Sequence, residues 1–260
     1  MEFIDSHAHI YLPQFEEDLE DVILLSKEAG IARIFMPNVD LETIDSMLEV
    51  ESKYPDYCIP MMGLHPCSVT GQYEKVLDTV YEWLRKRSFA AIGEIGLDLY
   101  WDKTYHREQV KVLNKQLDWA HELDLPVVIH CRETMQETLE LIEKRSDQKL
   151  KGVFHCFIGT IEEARRVVDA GFYLGIGGVA TFKNGGLENV LWEIELEKLL
   201  LETDTPYLTP EPFRGKRNDP SKLPYIAAKI AKVKGCTVDK VAEVCTENTL
   251  SLFGITRINE

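Results

Sequence analysis

Short apolar runs alternate along this chain with longer stretches in which apolar positions recur every three or four residues. The runs are FIDSHAHI (3–10), ARIFMPN (32–38), CIPMMGLH (58–65), FAAIGEIGL (89–97), PVVIHCR (126–132), GVFHCF (152–157), FYLGIGGV (172–179) and KLLLETD (198–204). Nearly continuous apolarity over so few residues is the mark of a strand buried on both faces, as in a parallel sheet. The intervening stretches have helical period; in 105–123 it is carried by Val110, Leu113, Leu117 and Ala120. Thr134-x-x-Glu137 and Thr160-x-x-Glu163 have the spacing of capping boxes, and Gly30 and Gly171 stand where a helix should stop. The segment 209–222, TPEPFRGKRNDPSK, has no clear period and is expected to be a functional loop.

Eight strands alternating with helices predict an α/β fold, and eight is the number that closes a (β/α)8 TIM barrel. An open doubly wound sheet would call for a Gly-rich phosphate loop after an early strand. The glycines of GIGGV come late in the chain instead. A length of 260 residues with no linker or repeat fits a single domain, 1–260.

Composition narrows the function. The net charge of -15 argues against a protein that coats duplex nucleic acid with a broad basic face, because that mode needs many Lys and Arg side chains on phosphates. It leaves room for a nucleic-acid enzyme whose positive charge is local. Six cysteines without a C-x-x-C pair suggest reduced thiols. The opening MEFIDSHAHI has neither a basic leader nor a long apolar core, and no run could span a bilayer. A cytoplasmic protein with no membrane association is expected.

The polar residues inside the apolar runs carry the chemistry. His7, His9, His130 and His155 fall at or near predicted strand ends, His65 ends the third run, Glu94 lies toward the end of the fourth, and Asp204 ends the eighth. In a (β/α)8 barrel these ends meet at one rim, so His7, His9, Glu94, His130, His155 and Asp204 should form one cluster. Side chains alternate along a strand, so His7 and His9 should face the axis together, while Cys131 and Cys156 should turn away from it. Burying such groups without compensation is costly, and divalent cations remove the cost. Six ligands suit two cations, one on His7, His9, Glu94 and Asp204, the other on His130, His155 and a shared Glu94. Nitrogen and oxygen donors admit Zn, Mn, Ni or Fe and less readily Mg.

At these residues the chain resembles the TatD family of metal-dependent deoxyribonucleases, among the amidohydrolase-type barrels. The likeness runs through DSHAHI, MGLHP, AAIGEIGLD, LPVVIHCRE, GVFHCFIGT, GFYLGIGGVATFKN, LLLETDTPYLTP and RGKRNDP. It implies the same six ligands and nuclease activity. Departures are Ile10 in the first motif, Glu133-Thr134 after His130-Cys131-Arg132, and Asn218-Asp219-Pro220 in the last, where Asp219 keeps the form of an N-cap before an N1 proline.

The expected reaction is therefore metal-dependent phosphodiester hydrolysis of DNA, on single strands or frayed ends and from an end inward. Two cations about 3.5–4 Å apart would acidify a water and polarise a phosphoryl oxygen. Asp204 is the candidate to orient that water and take its proton, beside the shared ligand Glu94. His65, Arg132, Arg214, Lys216, Arg217 and Asn218 are the candidates for phosphate recognition, since guanidinium forks match phosphate oxygens. Tyr100 and Trp101 could stack on a base. The rival expectation keeps the metals but changes the bond to a carboxylic ester or amide, such as the aminoacyl ester of a tRNA. A scaffold without activity would have lost a ligand, and none of the six is missing.

Overall fold

In the computed structural model, which describes residues 1–256, the apolar runs become parallel strands Phe3–Asp5 (β1), Ile31–Pro37 (β2), Cys58–Met61 (β3) and Ile92–Asp98 (β4). Val127–Arg132 (β5), Gly152–Phe154 (β6), Tyr173–Ile176 (β7) and Leu199–Leu201 (β8) complete the set. Helices Leu19–Glu28 (α1), Ile44–Lys53 (α2), Tyr73–Lys86 (α3), His106–Leu123 (α4), Met135–Glu143 (α5), Ile161–Asp169 (α6) and Glu188–Glu193 (α7) alternate with the strands. Leu223–Lys234 (α8) and Val238–Phe253 (α9) follow β8.

Regular pairing gives two arcs, β1-β2-β3 and β4-β5-β6-β7-β8. Individual bonds close the two seams. Met62 N–H reaches Ala91 C=O and Gly93 N–H reaches Met62 C=O on one side, and Ser6 N–H reaches Leu201 C=O on the other. The result is the (β/α)8 barrel that the alternation predicts.

Two layers of core hold it. Ile4, Phe35, Met61, Val128, Val153 and Leu200 fill the barrel interior, packed against Leu250, Leu252 and Phe253 at the end of α9. The larger layer lies between strands and helices, with Val112, Leu113 and Leu117 of α4 among it. Burying each such side chain stabilises the fold by roughly 1.5–3 kcal/mol. The interior layer also orients the site. Val128 faces inward, so His130 two residues on does too; Val153 does the same for His155, and Leu200 for Glu202.

The predicted helix boundaries divide into two cases. Thr160 caps α6 in a full capping box with Glu163, whereas the Thr134 hydroxyl leaves its helix and donates to Leu97 C=O at 3.0 Å. Glu137 turns instead to His106 at 2.8 Å. Tertiary partners outcompete the local cap there, and Thr134 pins the β5–α5 loop to β4. Gly30 and Gly171 follow α1 and α6 at φ 84° and 86°. Asp219 accepts from Ser221 N–H ahead of Pro220, as an N-cap should.

Candidate metal centre

Five of the chemistry-bearing residues lie just past the strands rather than in them. β1 ends at Asp5, β3 at Met61, β6 at Phe154 and β8 at Leu201, so His7, His9, His65, His155 and Asp204 stand on the first loop residues. The strands stop early because the chain turns out of the ladder, with left-handed φ at Cys156 (46°) and Asp204 (54°). Neighbouring backbone still holds them: Asp204 N–H donates to His7 C=O at 2.9 Å, and His155 N–H to Ile129 C=O at 3.0 Å. Only Glu94 and His130 sit within strands.

The six converge on Glu94. Its Oε2 lies 3.2 Å from His7 Nε2 and 3.5 Å from His9 Nε2, and Oε1 lies 2.8 Å from His130 Nδ1 and 3.0 Å from His155 Nε2. Asp204 Oδ1 is 3.8 Å from both His7 Nε2 and His9 Nε2. Cys131 does turn away, to Thr134, Met135 and Thr138. Cys156 departs from the alternation rule because its backbone is left-handed. Burial, then the charges of Asp204, Glu202 and Glu94, raise its thiol well above the ordinary range.

Hydrogen bonding fixes which ring atom of His9, His65 and His130 can act. The Tyr11 hydroxyl has one proton and gives it to Pro37 C=O, so it must accept from His9 Nδ1 at 2.8 Å. The His9 Nε2 lone pair is thereby left facing His7 Nε2 only 3.1 Å away. Two such nitrogens with a carboxylate oxygen beside them fit a cation between them. His155 turns Nδ1 toward Glu202 Oε1 at 3.4 Å and Nε2 toward Glu94. His130 has Nε2 on Asp98 Oδ2 at 2.8 Å. Each of these rings turns one nitrogen to the centre, the nitrogen whose lone pair a bound cation would take in place of a proton. His7–His9–Glu94, His7–His155–Asp204 and His65–Glu94–His130 each bring donor atoms within 4.8 Å of one another.

His65 is different. Its Nδ1 accepts from Cys67 N–H at 3.0 Å, so the neutral ring carries its proton on Nε2, 3.3 Å from Glu94 Oε1. In that form it offers a donor at the cavity and no lone pair.

The electrostatics follow from burial among neighbours of mixed sign. Burial alone would raise Glu94, but His155, His65 and His7 hold it well below the carboxylate range. Burial dominates at Asp204 and lifts it to about 6 against the pull of His155 and His9. Burial lowers His7 strongly, with His155 adding to it. At His130 burial is outweighed by bonds to Asp98 and Glu94, and the net shift is upward.

A cavity of about 860 Å³ opens above the cluster. Arg132, Arg214 and Lys216 line it, as do His65 and Trp101. Arg132 lies 3.6 Å over the Tyr100 ring and Arg214 3.6 Å over Phe182. Two residues expected there are elsewhere. Arg217 pairs with Asp18, its Nη1 3.0 Å from Oδ1, and stacks on Phe15, because a carboxylate distant in sequence neutralises it. Asn218 is buried and donates to Thr203 C=O (2.8 Å) and Tyr207 C=O (2.7 Å), shaping the turn after β8. Residues the sequence reading passed over are Asp98, Glu202 and Tyr11. Each lies two or four positions from a histidine or carboxylate of the cluster, the spacing of a common strand face, and that period was the available signal.

A (β/α)8 barrel whose strand ends gather histidines and carboxylates around a shared glutamate defines the class: a metal-dependent hydrolase. Among the described residues no helix is long and apolar enough to cross a membrane. The chain belongs to the TatD related DNase family, whose model matches residues 4–254. It is 38% identical over 252 residues to the metal-dependent hydrolase YabD of Bacillus subtilis, covering 96% of this chain and 98% of that one. It is 33% identical over 257 residues to the 3'-5' ssDNA/RNA exonuclease TatD of Pantoea ananatis, covering 96% and 99%. Among solved structures, YjjV, a TatD homologue of Escherichia coli, superposes with a TM-score of 0.91 at 29% identity, covering 98% of each chain.

Proposed function

We propose that this protein is a two-metal phosphodiesterase that removes nucleotides from the end of a single-stranded DNA. The observation that carries the reading is the split of Glu94: one oxygen faces His7 and His9, the other His130 and His155. A carboxylate placed so can bridge two cations, with Asp204 completing the first set. Bound divalent ions would acidify water and neutralise charge on a phosphoryl group. Loading with Zn, Mn, Ni, Fe or Mg in turn distinguishes the cation.

The chain's own residues supply the rest. Asp204, buried in the cavity beside His7 and His9, is placed to orient a water and accept its proton. His65 Nε2–H can donate to a phosphate oxygen once substrate displaces its contact with Glu94. Arg132, Arg214 and Lys216 meet the phosphates, and the stacking of both arginines on rings holds their planes in place. Trp101, 71% exposed at the cavity edge, offers a face to an unpaired base. The name of the Pantoea relative supports a single-stranded nucleic acid as substrate.

Single-stranded DNA labelled at one or the other end, incubated with chelated enzyme reloaded with each cation in turn, tests this. A ladder shortening from one end is expected. Release of amino acid from an aminoacyl-tRNA with no nucleotide release would replace the phosphodiesterase reading by ester hydrolysis.

A further inference from the structure

We propose that Asp98 is a positioning residue for the centre, fixing the ring proton of His130 so that its other nitrogen faces the cation, given the reading of His130 as a ligand above. Asp98 closes β4 on the same face as Glu94, four residues earlier, and is 1% exposed. Its Oδ2 accepts from His130 Nε2 at 2.8 Å, while Nδ1 of the same ring lies 2.8 Å from Glu94 Oε1. With Nε2 committed to Asp98, Nδ1 is the nitrogen that faces the cluster, and its lone pair is the one a cation there would take.

The second oxygen is equally committed. Oδ1 accepts from Tyr100 N–H at 2.9 Å and from Trp101 N–H at 3.3 Å, closing the turn that presents both rings to Arg132. The aspartate's own backbone is clamped by Gln109, a buried side chain of α4 that accepts from Asp98 N–H at 3.0 Å and donates to Asp98 C=O at 3.1 Å. Every partner of this carboxylate is a donor, so an amide of the same shape cannot replace it. If the amide oxygen introduced by Asp98→Asn kept the two backbone N–H groups, the amide NH2 would face His130 Nε2. The ring would then move its proton to Nδ1 and withdraw the lone pair from the cluster.

The test compares wild-type protein, Asp98→Asn and His130→Ala as full-length, zinc-loaded chains dialysed against graded chelator. Metal is counted by mass spectrometry, and ring tautomers are read by long-range nitrogen–proton NMR. Wild type should hold two equivalents, and His130→Ala should lose one. Asp98→Asn should release one equivalent at roughly 10–100-fold lower chelator, the range typical when a ligand's supporting partner is removed, with the His130 proton on Nδ1. If His130→Ala loses one equivalent while Asp98→Asn keeps both at wild-type chelator with the proton on Nε2, the role of Asp98 is overturned. If His130→Ala keeps both, the ligand reading itself falls. Should Asp98→Asn fail to fold, Gln109→Ala decides: earlier release of one equivalent supports the role, and unchanged retention overturns it.

Discussion

Single residues here are set by the balance between burial and a partner. Asp5 is fully buried behind His7 and accepts from His7 N–H at 3.2 Å and from Thr203 N–H at 3.0 Å. Burial outweighs these bonds and raises its carboxyl from 3.8 to about 8. A carboxyl raised on folding keeps its proton in the folded chain after the unfolded chain has lost it. The associated stability is complete below pH 3.8 and is lost as pH climbs to about 8. Asp5→Asn has no such proton to lose. The melting temperature of metal-free Asp5→Asn relative to wild type should therefore rise between pH 5 and pH 8, and parallel curves would contradict the buried acid. Arg132 makes a second case. Arg132→Lys keeps the charge but loses the planar fork and the stack on Tyr100, so KM for single-stranded DNA should rise about tenfold with little change in kcat.

At the scale of elements, the approach of β4 to β5 limits what the sequence can carry. Gly96 has φ 148°, and a Cβ built there would fall 1.9 Å from His130 C=O. Backbone, not a movable side chain, is in the way, so Gly96→Ala must push the strands apart beside a centre residue. Overpacking of this kind costs about 1–3 kcal/mol, which lowers the melting temperature by several degrees in a chain of this size. A calorimetric scan that left the midpoint unmoved would count against the strand spacing described. The capping pair Thr134 and Glu137 shows the opposite relation, a local signal that distant groups override. Leu97 and His106 bind the two side chains that the spacing assigned to each other.

Over the whole molecule, charge and metal act together. In the proposed reaction, a chain of net charge -15 would meet its polyanion through Arg132, Arg214 and Lys216, which line one cavity. Cations held by the folded centre but not by the unfolded chain stabilise the fold by about 2.7 kcal/mol at a hundred times the dissociation constant. Chelation should thus lower the melting temperature by several degrees, and excess zinc should restore it. A midpoint indifferent to chelator would deny that the cluster binds a cation.

The chain's period alone determined the eight strands and their alternation with helices, because burial on both sides of a strand leaves an apolar run. It also singled out six titratable side chains that the fold brings together around Glu94, since such groups inside apolar runs are costly without a shared reason. What folding decided is which polar groups meet. Arg217 went to Asp18, Asn218 to the turn after β8, and Asp98, Glu202 and Tyr11 to the histidine rings. A hydrogen bond reaches about 3 Å and depends on direction, so its partners follow from the path of loops whose pairing no local pattern encodes.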